Sequence, residues 1–196
     1  MTSAGPQAPS SGRARRPLDR SFFTRPSPVV ARALLGSWLV RRHSTGLWRV
    51  QLCETEAYLG REDPASHAHR GPTARNLAMF GIPGSAYVYF VYGMHYCFNI
   101  VTGAEGTAAA VLVRGALPDL ALGRRLDGPA RFCRALNIGA AQNGIDLCAP
   151  ITGEIWLERG RLDRGVEVVV GPRVGVRDPT PWRFRILPGR REPGKL

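Results

Sequence analysis

Trp48-Arg49-Val50-Gln51-Leu52-Cys53-Glu54-Thr55-Glu56-Ala57-Tyr58 alternates in the manner of a half-buried β-strand. Read at period two, Trp48, Val50, Leu52, Glu54, Glu56 and Tyr58 share one face, apolar first and then acidic. A carboxylate that continues a core stripe loses hydration, and that loss makes it a better proton acceptor. Glu54 reads as a structural partner for an arginine. Glu56, beside the aromatic Tyr58, is the candidate for chemistry. Upstream, Trp38 to Arg42 reads as a strand and Ser44-Thr45-Gly46 as a turn, so the two strands form a hairpin.

Outward from this hairpin, Ser27-Pro28 gives an N-cap and a favourable first helical position, and Gly36 ends that helix. Residues 60–84 lack clear periodicity apart from a short helix around Ala74 to Phe80. Tyr87 to Tyr92 is strand-like, Gly93-Met94-His95 supplies a turn, and Tyr96 to Val101 and Ala108 to Val113 follow as strands. A helix begins near Pro129, and strands are expected at Ile155–Glu158, Val166–Val170, Arg173–Val176 and Arg183–Leu187. The sum is an α+β fold: one domain with a curved antiparallel β-sheet, a protruding β-hairpin and packed helices. The domain is expected over residues 18–188, between a disordered basic tail (1–17) and a flexible one (189–196).

Composition narrows the chemistry. With 27 basic and 15 acidic residues the net charge is +12, concentrated toward both ends, which suits a polyanionic partner. Every apolar run is broken by Arg, Gly or Pro before it reaches membrane-spanning length, and the N-terminus has no apolar signal segment. A cytoplasmic location, at the nucleoid in a bacterium, is expected. Cys53, Cys97, Cys133 and Cys148 show no paired spacing and read as core residues rather than a zinc site. His67 and His69 form an H-x-H pair, but in an irregular segment without a metal-ligand signature. Lys195 is the only lysine and lies in a Pro/Gly-broken tail, and the N-terminal amine sits on a flexible segment, so a water nucleophile is expected rather than Schiff-base catalysis. At the tip of the residue 85–101 hairpin, Tyr92 stands beside Gly93. An exposed aromatic there suits a wedge that unstacks base pairs.

Glu54-Thr55-Glu56-Ala57-Tyr58-Leu59-Gly60, Glu62-Asp63, Ala65-Ser66-His67, Arg75-Asn76 and Met79-Phe80 resemble the alkyladenine (3-methyladenine) DNA glycosylase family. Tyr87-Val88-Tyr89, Tyr92-Gly93-Met94, Asn99, Val111 to Arg114, Trp156 to Gly160 and Arg173 to Val176 extend the match, in the same order, across residues 18 to 187. The resemblance implies a monofunctional base-excision enzyme for alkylated purines, with hypoxanthine or ethenoadenine as further substrates of the family, that flips the damaged nucleotide out of double-stranded DNA. It implies Glu56 as general base, with Arg114 beside the flipped nucleotide and the water. Tyr58 would stack on one face of the base, with His67 and Tyr89 on the other. Asn99 would exclude guanine by crowding its amine, and Tyr92 with Met94 would fill the vacated space. It implies a monomer that needs no metal or cofactor and no membrane. The connection from Gly115 to Arg131 is shorter than in animal members, and His95 stands where an aromatic is common. The alternatives are a non-catalytic nucleic-acid-binding module of the same fold and a metal-dependent hydrolase using His67, His69 and a nearby acid. A binding module has no need of the acid at position 56.

Overall fold

The computed structural model describes residues 15–118 and 122–187. Its helices are α1 (Arg20–Phe23), α2 (Ser27–Ala33) and α3 (Pro129–Ala135). Its strands are β1 (Trp38–His43), β2 (Gly46–Tyr58), β3 (Ala86–Val91), β4 (His95–Thr102), β5 (Ala109–Ala116), β6 (Ile155–Glu158), β7 (Val168–Gly171) and β8 (Arg183–Ile186). All pair antiparallel in one curved sheet, in the order β3-β4-β5-β2-β1-β6, with β8 bridging β2 and β7. The long β2 makes this possible, because its first half pairs with β1 and its second with β8. The result is the expected single α+β domain. No helix among the described residues is long and apolar enough to cross a membrane.

β5 separates two clusters. Val111 and Val113 point into the main core with Phe98, Ile100 and Phe132, under α2 and α3, while Ala110 points to a smaller cluster with Tyr87 and Met79. Asn99, on β4, belongs to the second side, where it lines a cavity.

The period-two reading of β2 fails at one point, and the failure builds the site. Val50 and Leu52 lie in the main core, but so does Ala57, an odd number of residues later. Register shifts on either side of Glu54 mark the cause, a β-bulge: Cys53 on β2 and Arg114 on β5 are each left without a partner in this pairing, so both strands switch faces together and their original register resumes at Thr55 and Val113. Beyond it Thr55 faces α2, donating to the Ala31 carbonyl at 2.8 Å, and Glu56 turns to the other face. The acidic residues therefore do not continue the apolar stripe.

Smaller departures have local causes. Ser27 is the first helical residue rather than the cap, and its hydroxyl is spent on the Ala110 carbonyl at 2.9 Å. Residues 77–80 form only a 3₁₀ turn. Arg173–Val176 is a loop rather than a strand: Gly175 has φ 75° and the Val174 N–H is used on a side chain. Residues 1–14 and 188–196, where the tails are expected, lie outside the described residues. Ahead of Leu18, Pro17 already bridges to Glu158 on the β6 edge.

Candidate active site

Glu56 is fully buried, and its environment is set by the bulge. Oε1 accepts the Val174 N–H at 2.8 Å; Oε2 accepts the Tyr58 hydroxyl at 3.1 Å and Arg114 Nη1 at 3.4 Å. Three donors converge on the two oxygens, and a carboxylate is an acceptor only. Of its roughly four lone-pair directions one is left over. Glu54 is held differently, between Arg114 Nε at 2.9 Å and Arg183 Nε at 2.7 Å. That is the structural role expected of it. Arg114 thereby spans both carboxylates, a fork that a lysine could not reproduce.

Tyr58 joins the carboxylate to a cavity. Its hydroxyl holds Glu56, while its ring lines a cavity of about 70 Å³ with His67, Tyr89, Asn99, Tyr87 and Met79. Burial, then the neighbouring Glu56 charge, pushes the Tyr58 phenol well above its ordinary value, so it stays a proton donor. His67 and Tyr89 meet edge-on, with ring centroids 4.4 Å apart at 73°. His67 Nδ1 is hydrogen-bonded to the Tyr87 hydroxyl at 3.0 Å, which fixes the ring, and burial pushes the Tyr87 phenol up to about 12. The Asn99 amide nitrogen donates to the Tyr87 carbonyl at 3.0 Å, which locks its carboxamide. Burial, assisted by the Arg75 charge, holds His67 below the ordinary 6.5. The cavity is thus lined by neutral rings at neutral pH. We expect the His67 imidazole, followed by NMR, to titrate below 6.5 and to move upward in Arg75→Ala. An unchanged midpoint in that variant would remove Arg75 from the explanation.

Tyr92 and Met94 stand apart from the cavity, at the β3–β4 tip. A Met94 N–H to Val91 carbonyl bond of 3.2 Å closes the turn, with φ 54° at Tyr92 and 67° at Gly93. Two consecutive positive φ values match the twist of a hairpin but strain a tyrosine. The ring gains no burial in return: Tyr92 is 86% exposed and Met94 67%.

The sequence did not point to the supports of this site. Arg173 is buried, and its guanidinium grips Asp63 through both nitrogens, Nη2 to Oδ1 at 3.0 Å. It also donates to the Ala57 carbonyl at 3.1 Å and lies between the Tyr58 and Trp182 rings, 4.7 and 4.9 Å from their centroids. Its neighbour Val174 is the residue that donates to Glu56. Asp63 in turn accepts the Leu59 and Ala65 N–H groups, at 3.2 and 3.0 Å, and so shapes the loop that carries His67. Among the described residues no group of three His, Cys, Asp or Glu side chains is placed to hold a metal.

Comparison with known proteins points the same way. The family model described as Methylpurine-DNA glycosylase (MPG) matches residues 21–189. A Streptomyces avermitilis protein named "Putative 3-methyladenine DNA glycosylase" is 46% identical over 188 residues, covering 88% of each chain. Myxococcus xanthus and Methanocella arvoryzae proteins of the same name are 45% and 43% identical, covering 90% and 85% of this chain and 98% and 90% of their own. With the family match spanning nearly the whole described fold, this chain belongs to the methylpurine-DNA glycosylase family.

Proposed function

We propose that this protein is a monofunctional glycosylase that hydrolyses the N-glycosidic bond of alkylated purines everted from duplex DNA. The observation that carries the reading is the Glu56–Tyr58 link: one side chain lines an aromatic cavity and holds a buried carboxylate beside it. A base seated among Tyr58, His67 and Tyr89 would bring its sugar toward Glu56. Alkylated purines carry positive charge, so aromatic faces favour them, and their weakened pairing lowers the cost of eversion.

The chemistry follows from the donors. The C1′–N bond breaks with its electron pair going to the base, and a cationic purine leaves neutral without a proton donor on the base side. The sugar becomes cation-like, and Glu56 stabilises it electrostatically. Water adds to C1′ and gives its proton to Glu56. Because Glu56 has no exposed surface, that water must enter where its contacts are weakest, at the 3.4 Å separation from Arg114. Arg114 stays anchored by Glu54 during such an opening.

The test is incubation with duplexes carrying 3-methyladenine-type, 7-methylguanine, hypoxanthine or ethenoadenine lesions, followed by detection of free base and abasic sites. Absence of release from every lesion would remove the reading. Tyr92 fits a wedge in the minor groove, replacing the everted base in the stack. Tyr92→Ala should weaken capture of duplex lesions by about tenfold, the scale of one lost stacking contact. A lesion opposite an already unpaired position should suffer less. Equal losses on both substrates would move Tyr92 out of the wedge role.

A further inference from the structure

A second concavity lies on the reverse side of the β3–β4 hairpin, just below its tip. Along β4, Asn99 lines the base cavity, whereas Tyr96 and Phe98, opposite in parity, turn toward α3 and the main core. Between that reverse face and the end of α3 runs a cleft of about 440 Å³, bordered by Met94, His95, Tyr96, Arg134, Asn137 and Arg41.

Its polar groups are unevenly satisfied. Arg41 is buried, with Nη1 on Glu154 at 2.8 Å and Nη2 near the Asn137 carbonyl at 3.4 Å, but its Nε has no hydrogen-bond partner among the described residues. A buried donor left unpaired is costly, and a water or an anion that reaches it from the cleft would relieve that cost. Glu154 is the carboxylate nearest in this network, and it is already committed to Arg41 and to Gln142 Nε2 at 3.0 Å. Arg134, exposed on α3, makes no side-chain hydrogen bond or ion pair among the described residues. The surplus charge of the cleft is therefore positive and is carried by Arg134.

We propose that this cleft receives a backbone phosphate of the DNA strand opposite the lesion. The inference rests on the glycosylase reading above, and specifically on the Tyr92 wedge. A hairpin wedged in the minor groove has one strand on each side. The base cavity assigns the damaged strand to the Asn99 face, so the reverse face meets the complementary strand. Arg134 supplies a charge-assisted contact to one phosphate there, with Met94 and His95 closing the near wall. Such a contact carries no sequence information; it fixes the register of the hairpin on the duplex.

The test scans duplexes in which single phosphates are replaced by uncharged methylphosphonates, with binding read at several salt concentrations and free base measured in the same samples. Replacing one or two linkages in the complementary strand should weaken wild-type binding about fivefold, as expected for one solvent-exposed charge pair. Arg134→Ala should bind about fivefold to tenfold more weakly, show a salt slope smaller by about one, and be indifferent to those same linkages. Alanine on an exposed helical position keeps the fold. The inference is overturned when wild type releases base but no complementary-strand linkage matters, or when Arg134→Ala remains sensitive to them. Failure of the glycosylase reading shows separately, as absence of free base from the wild-type samples.

Discussion

Glu56→Gln is expected to lower single-turnover base release by about 10³-fold while leaving capture of damaged duplex nearly intact. The contrast depends on how the carboxylate is held. Glutamine keeps an oxygen for the Val174 N–H, now 2.8 Å from Oε1. Its amide nitrogen then faces the Tyr58 hydroxyl, which can rotate from donor to acceptor. Arg114 loses one acceptor but keeps Glu54 at 2.9 Å. The local fold therefore keeps partners for Val174 and Tyr58 and leaves only the weak Arg114 Nη1 contact unmade, so the main losses are the proton acceptor and the carboxylate charge. Single-turnover kinetics with a methylated duplex, alongside binding isotherms, checks both halves. Release within tenfold of wild type would take the base role from Glu56; equal loss of binding would make it a structural acid.

The second large effect falls on stability. Arg173→Ala should cost about 3–5 kcal/mol, because it strands a buried carboxylate. Asp63 has a fully buried side chain, and the Leu59 and Ala65 N–H groups alone do not neutralise it. For a domain of this size that loss corresponds to a melting point lower by roughly 10 °C. Urea titration with an unchanged m-value is the cleaner measurement. Arg173→Lys keeps the charge but loses the fork and the stacking between Tyr58 and Trp182, so it should fall between. The joint variant Asp63→Leu with Arg173→Met should be less destabilised than Arg173→Ala, since nothing charged is left buried. A loss below 1 kcal/mol in Arg173→Ala would mean that Asp63 finds its counter-charge elsewhere.

What could be read in the sequence had local causes. The β6 span is the one its apolar run suggested, and the Tyr92-Gly93 tip follows from a glycine between two aromatic strands. The pairing of Glu54 with arginines was also legible, since an arginine-rich chain offers many partners to a rim carboxylate. The bulge was not. Alternation survives an inserted residue when both faces carry mixed character, so Leu52 and Glu54 look continuous in the sequence and are not in the fold. Nor was the Arg173–Asp63 pair, whose members are 110 positions apart and sit in segments without periodicity. Arg173–Val176 misled for a related reason. Its β-branched composition suits a strand, but the Val174 amide that a neighbouring strand would need is committed to Glu56.

The extra residue in β2 works on the strand as an insertion works on a reading frame. Upstream of it, odd and even positions have one meaning; downstream the meanings are exchanged. The half that clasps β1 and the half that presents the acid are consequently free to drift in sequence independently, provided the offset between them is preserved. Losing that one residue would deliver the Glu56 side chain to the place where Thr55 meets α2, and the Ala57 methyl group to the place between Val174, Tyr58 and Arg114.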